Sequence, residues 1–119
     1  MGIFSRIFGR AAKPQTPDHA VIVHFDYGST DLQPIFELEA RLIAAITKAG
    51  AGEFDGNEVA ADGSDGYLYM YGSDADALFA AVHPVLEQCA FMRGARVRVR
   101  YGLPADGIRE VQHVISRPH

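Results

Sequence analysis

Residues 95–101 (ARVRVRY) alternate strictly between apolar and charged positions, the two-residue period of a strand with one wet face. Two stretches, 20–27 (AVIVHFDY) and 67–72 (YLYMYG), are β-branched and aromatic almost throughout and also read as strands. A weaker strand is expected over 52–61 (GEFDGNEVAA), where Gly56 is placed to mark a bulge. Residues 108–115 (IREVQHVI) leave room for a fifth strand, returning as a hairpin after the turn residues Pro104-Ala105-Asp106-Gly107.

Between the strands the period changes. Ile35, Leu38, Leu42, Ala45, Ile46 and Ala49 recur at three- and four-residue steps and predict an amphipathic helix that stops at Gly50. Thr30 or Asp31 can cap it, with Pro34 in its first turn. Leu78, Phe79, Val82, Val85, Leu86 and Cys89 mark a second helix, for which Ser73 and Asp76 offer a capping box. Pro84 inside it predicts a kink, or a break near His83.

The predicted order is therefore β-α-β-β-α-β, with a possible fifth strand at the C-terminus. Each half is a split βαβ unit with a right-handed crossover. The economical arrangement is α+β and ferredoxin-like: one antiparallel sheet, first and third strands central, both helices on one face.

That arrangement leaves the other face of the sheet uncovered, and alternation says what it shows. With Leu68 and Met70 turned to the core, Tyr67, Tyr69 and Tyr71 point outward. With Val97 and Val99 inward, Arg96, Arg98 and Arg100 point outward. On the first strand Val21, Val23 and Phe25 go in, and His24 and Asp26 go out. Tyrosine and arginine are the side chains enriched at protein interaction hot spots. Arginine also takes carboxylate or phosphate through its planar fork, and tyrosine rings stack on bases or guanidinium groups. The same residues also suit an ordinary solvated face, with tyrosines lying on arginine stems and Arg100 paired to Glu110 across a hairpin.

The stretch Gly66-Tyr67-Leu68-Tyr69-Met70 resembles part of the third strand of an RNA-recognition motif. That family has this same element order and stacks bases on aromatics of its first and third strands. The resemblance implies RNA or a nucleotide on the sheet face. It covers one strand. Asp65 stands where the family has a basic residue, Leu68 where it has a small one and Gly72 where it has an aromatic. The first strand offers only His24 at a stacking position.

Charge adds a second candidate surface. From Glu53 to Asp76 there are seven acids and no base, Glu53, Asp55, Glu58, Asp62 and Asp65 among them. Such a run solubilises an edge hairpin and shields it from strand pairing, or draws in a basic partner. The Asp55–Glu58 and Asp62–Gly66 stretches lack the spacing of a calcium loop and read as turn acids. A net charge of −4 over 119 residues also argues against bulk nucleic-acid binding.

The first seventeen residues stand apart. Ile3, Phe4, Ile7 and Phe8 share one helical face beside Arg6, Arg10 and Lys13, with no acid before Asp18. Such a segment suits weak contact with a membrane surface, or docking on the domain or a partner. Gly2 could begin a myristoylation signal, but Arg6 stands where that signal wants Ser or Thr. Pro14 and Pro17 then form a linker, so residues 1–17 are expected as a basic appendage and 18–119 as one domain.

Catalytic and metal chemistry is thinly represented. The five histidines form no HxxxH pair, and a single cysteine rules out a multi-cysteine metal centre or an internal disulfide. Cys89 falls on the apolar face of the second helix and reads as a small core residue. No GxSxG, P-loop or GxGxxG pattern occurs. No apolar run approaches the roughly 20 residues of a membrane span, and one thiol suits a reducing, cytoplasmic setting. The expectation is a small protein-binding module of the inhibitor (immunity-type) or adaptor kind, without catalysis or cofactor. It would work through the Tyr/Arg face or the acidic hairpin, on a protein partner or a second copy. RNA or nucleotide binding, or a small-ligand sensor, is the alternative.

Overall fold

The computed structural model of the chain describes residues 19–105 and 107–116. Among these residues there are five strands: β1 (His19–Asp26), β2 (Glu53–Val59), β3 (Asp65–Gly72), β4 (Arg96–Arg100) and β5 (Glu110–Val114). Two helices among them, α1 (Gln33–Ala49) and α2 (Ala75–Glu87), cross between the strands, and a 3-10 turn covers Ala90–Met92. The sheet order is β2-β3-β1-β4-β5 and every neighbouring pair is antiparallel. This is the ferredoxin-like α+β arrangement with the fifth strand added beyond β4.

The core lies on one face of the sheet. Val21, Val23 and Phe25 of β1, Leu68 and Met70 of β3, and Val97 and Val99 of β4 are buried there. They pack beneath Ile35, Leu38, Leu42 and Ile46 of α1 and Leu78, Val82 and Leu86 of α2. Helix α1 ends as its sequence predicts: Gly50 takes a left-handed conformation and its N–H reaches back to the carbonyls of Ile46 and Thr47. At its start Asp31 Oδ1 accepts from the Gln33 N–H at 3.0 Å, although Leu32 is the boundary residue.

Three local expectations are corrected. The cap of α2 is Asp74, whose Oδ1 accepts from the Ala77 N–H at 3.1 Å; Ser73 stays in the turn because β3 extends to Gly72. Helix α2 has no break near His83 and runs on through Pro84 to Glu87. One lost backbone bond there is outweighed by burying Leu78, Val82 and Leu86 along one side. Arg100 lies opposite Glu110 in register, but Glu110 pairs with Arg98 instead.

The bulge expected at Gly56 is present and has a consequence for the faces. Phe54 pairs with Met70 and Gly56 with Tyr69, so Asp55 is the extra residue. The shift in parity turns Asn57 and Val59 toward the helices and Glu58 to the open side. Asn57 Nδ2 then donates to Glu39 Oε2 on α1, and Val59 packs on the core. Among the described residues no helix is long and apolar enough to cross a membrane.

Candidate functional site: the open face of the sheet

Register places the predicted face residues in three rows across five strands. One row runs Glu58, Tyr67, His24, Arg96, Val114. The next runs Gly56, Tyr69, Ile22, Arg98, Gln112, and the third Glu53, Tyr71, Ala20, Arg100, Glu110. Asp26 faces Asp65 at the end of the β1–β3 pair. All eight residues expected on the Tyr/Arg face are therefore on it.

The acidic residues are not a separate surface. Glu53, Glu58 and Asp65 belong to the same face as the tyrosines, while Asp55 sits in the bulge and Asp62 in the β2–β3 turn. Hydrogen bonds from Ser64 hold the Asp62 carboxyl below its ordinary pKa. Ile3, Phe4, Ile7 and Phe8 lie outside the described residues.

The aromatic part of the face is ordered by stacking. His24 and Tyr67, directly opposite each other, stack at 4.3 Å between centroids and 6° between planes. Tyr67 and Tyr69 follow at 6.1 Å and 13°. Tyr69 donates its hydroxyl hydrogen to Glu58 Oε1. Burial first, then that bond and the Glu58 charge, push the Tyr69 phenol well above its ordinary pKa, so it stays a donor.

The cations are already engaged. Arg96 donates from Nη2 to His24 Nδ1 at 2.8 Å and from Nη1 to Asp26 Oδ2 at 3.4 Å. A guanidinium only donates, so Nδ1 of His24 is the accepting nitrogen. The ring hydrogen then sits on Nε2, 2.7 Å from Asp65 Oδ2. Both ring nitrogens are thus hydrogen-bonded within the fold. Arg98 Nε donates to Glu110 Oε2 at 3.3 Å, and Arg100 Nε to the Gly102 carbonyl at 2.7 Å. The facing pair Asp26 and Asp65 would repel. Arg96 draws off one carboxylate and His24 the other.

Sequence reasoning missed the centre of this face. Ala20 and Ile22 point to the open side, outside the core cluster, yet are only 0% and 7% exposed. Among the described residues no helix lies over them. Their register neighbours Tyr69, Tyr71, Arg98 and Arg100 flank them on both sides. The signal was present, since the β1 run is apolar on both parities up to Val23. Val114 on β5 adds an apolar rim position at 64% exposure. Leu32, just before α1, and Phe36 and Ile43 within it are also exposed.

Among the described residues no three His, Cys, Asp or Glu side chains gather into a metal-binding group. Cys89 is half-buried against the core just beyond α2, and burial pushes its thiol up in pKa, away from the reactive thiolate. No protein-family model, curated protein or solved structure matches this chain.

Proposed function

We propose that this chain is a small protein-binding module with no catalysis of its own, docking a protein on the open face of its sheet. One observation carries the reading: the rings of His24, Tyr67 and Tyr69 are held in a stack on this face, while Arg96, Arg98 and Arg100 are each engaged within the fold. Rigid aromatics beside paired charges are ingredients of a protein interface. A phosphate backbone asks for the opposite, cations free of carboxylates. Here Glu53, Glu58, Asp65, Asp26 and Glu110 crowd the same face. An inhibitor of the immunity type or an adaptor fits a module of this size, and its single thiol fits the cytoplasm.

The test uses the chain as bait in extract from its own source, beside a Tyr69→Ala/Arg98→Ala double variant with an unchanged circular dichroism spectrum. The wild type is expected to retain a protein that the variant loses. An identical set on both baits overturns the reading. So does micromolar binding of a labelled single-stranded RNA that depends on Tyr69 and weakens steeply with salt.

A further inference from the structure

Resting on that reading of the face, we infer that its first occupant is the chain's own basic head. Residues 1–17 fold back over the open side of the sheet, and a protein partner has to displace them.

The observation is Ile22. It lies on the open side of the central strand and is buried, as is Ala20 beside it. The side chains that flank Ile22 across the sheet reach away from it. Tyr69 gives its hydroxyl hydrogen to Glu58 on β2, and Arg98 turns its guanidinium to Glu110 on β5. Both helices pack on the opposite side. A branched apolar side chain so placed calls for a cover, and among the described residues no element lies over it.

The head fits that role by place, by length and by chemistry. The chain enters β1 at His19, in the middle of the sheet. On the helix side this end is taken, because His19 Nδ1 accepts from the Ala75 N–H at the start of α2, at 2.9 Å. The open side is the free way back. The linker over 14–18 can span about 16 Å. A helix over 3–13 is about 16 Å long. Four strand spacings of about 4.8 Å make the sheet about 19 Å across, so the head crosses the strands once.

Ile3, Phe4, Ile7 and Phe8, on one helical face, supply the apolar cover. Arg6, Arg10 and Lys13 supply positive charge with no acid among them. The sheet face has the opposite sign, since Glu53, Glu58, Asp26, Asp65 and Glu110 outnumber Arg96, Arg98 and Arg100. The excess lies on β2, where Glu53, Asp55 and Glu58 are separated from the arginines of β4 by two strands. Glu53, Asp55 and Tyr71, at that side, are each engaged. The competing berth is the outside of α1, but Phe36 and Ile43 there stay about half exposed. A tether this short holds the head at an effective concentration of the order of millimolar, so a weak contact fills the face. A partner then binds with its affinity lowered by the fraction of time the face is open.

The test uses the full chain with a nitroxide on Ser5→Cys in a Cys89→Ala background. Paramagnetic broadening of amide signals is expected to centre on Ile22 and Tyr69, to be weakest at Phe36 and Ile43, and to survive dilution. Phe4→Ser/Phe8→Ser is expected to abolish it and to speed tryptic cleavage after Arg6 and Arg10 by about tenfold or more, because cutting tracks the open population. Ile22→Ser, outside the helix-side core, is expected to do the same from the other surface. Broadening centred on α1, or broadening that fades on dilution as a second copy's head would, overturns the inference. So do folded variants that leave both readouts unchanged. In extract, the Phe4→Ser/Phe8→Ser bait is expected to retain several-fold more of the protein that depends on Tyr69 and Arg98 than wild type does. Equal retention overturns the gate. A head that proves undocked while that protein is still lost on face substitution leaves the docking reading standing and removes only the strap. A docked head with no such protein does the reverse.

Discussion

The strand Tyr67-Leu68-Tyr69-Met70-Tyr71 puts two kinds of surface one residue apart. Leu68 and Met70 are wholly buried beneath the helices, among aliphatic side chains from both. Tyr67 and Tyr69 are half-exposed and held by a histidine ring and a glutamate. One face is organised by removal of apolar area from water, which is non-directional and large. The other is organised by stacking, hydrogen bonds and surface ion pairs, each small on its own. The helix face should therefore carry stability and the open face recognition.

Neighbouring substitutions separate the two most sharply. Leu68→Ala is expected to lower unfolding free energy by about 3 kcal/mol, because it leaves a cavity that surrounding side chains only partly fill. Tyr69→Ala, one residue along, is expected to cost about 1 kcal/mol or less, while abolishing whatever the face binds. Urea unfolding of the two variants measures the difference. Equal losses would mean that the open face also holds the fold together.

The second effect sits where the faces are joined through a single glycine. A Cβ at Gly66 would lie 2.8 Å from the Phe25 ring and 3.0 Å from the Glu58 carbonyl oxygen. The ring belongs to the core, and the carbonyl to the strand that carries the Tyr69 partner. Gly66→Ala is expected to cost about 1–3 kcal/mol by overpacking and to disturb the Tyr69–Glu58 bond as well. Loss of stability with an unchanged Tyr69 phenol titration would show that the bulged strand gives way without moving Glu58.

How much of this was legible follows from how local each interaction is. Strand and helix periods, the stop at Gly50 and the outward set on β3 and β4 depend on near neighbours in sequence, and they could be read there. The ion pairs could not. Arg98 and Arg100 are equivalent by pattern, and only the conformation of the β4–β5 connection gives Arg100 the Gly102 carbonyl and leaves Glu110 to Arg98. Ser73 and Asp74 are both good caps, and the length of β3 decides between them. That choice gives the third prediction. Asp74→Ala should cost about 1 kcal/mol and Ser73→Ala only a few tenths, read from thermal midpoints. The reverse order would return the cap to Ser73.

The smallest effect is a slope with pH, and its sign differs between two carboxyls. Glu39 on α1 is pushed above its ordinary value of 4.5, chiefly by burial, against a smaller opposite pull from the Asn57 hydrogen bond. In the window just above that value the folded chain binds more protons at this site than the unfolded chain. Its contribution to stability is therefore present at lower pH and lost as pH rises through the raised pKa. Asp62, exposed in the β2–β3 turn, is held down by Ser64, so its contribution is present above its ordinary value and lost on acidification. Glu39→Gln keeps an acceptor for Asn57 and removes the first slope. Asp62→Asn removes the ionised form that the turn favours and with it the second. Against wild type, the Glu39→Gln variant should gain stability as pH rises from 4 toward neutrality, while Asp62→Asn should lose it as pH rises through the window just below the ordinary aspartate value of 3.8. Two difference curves of the same sign would show that burial does not govern Glu39.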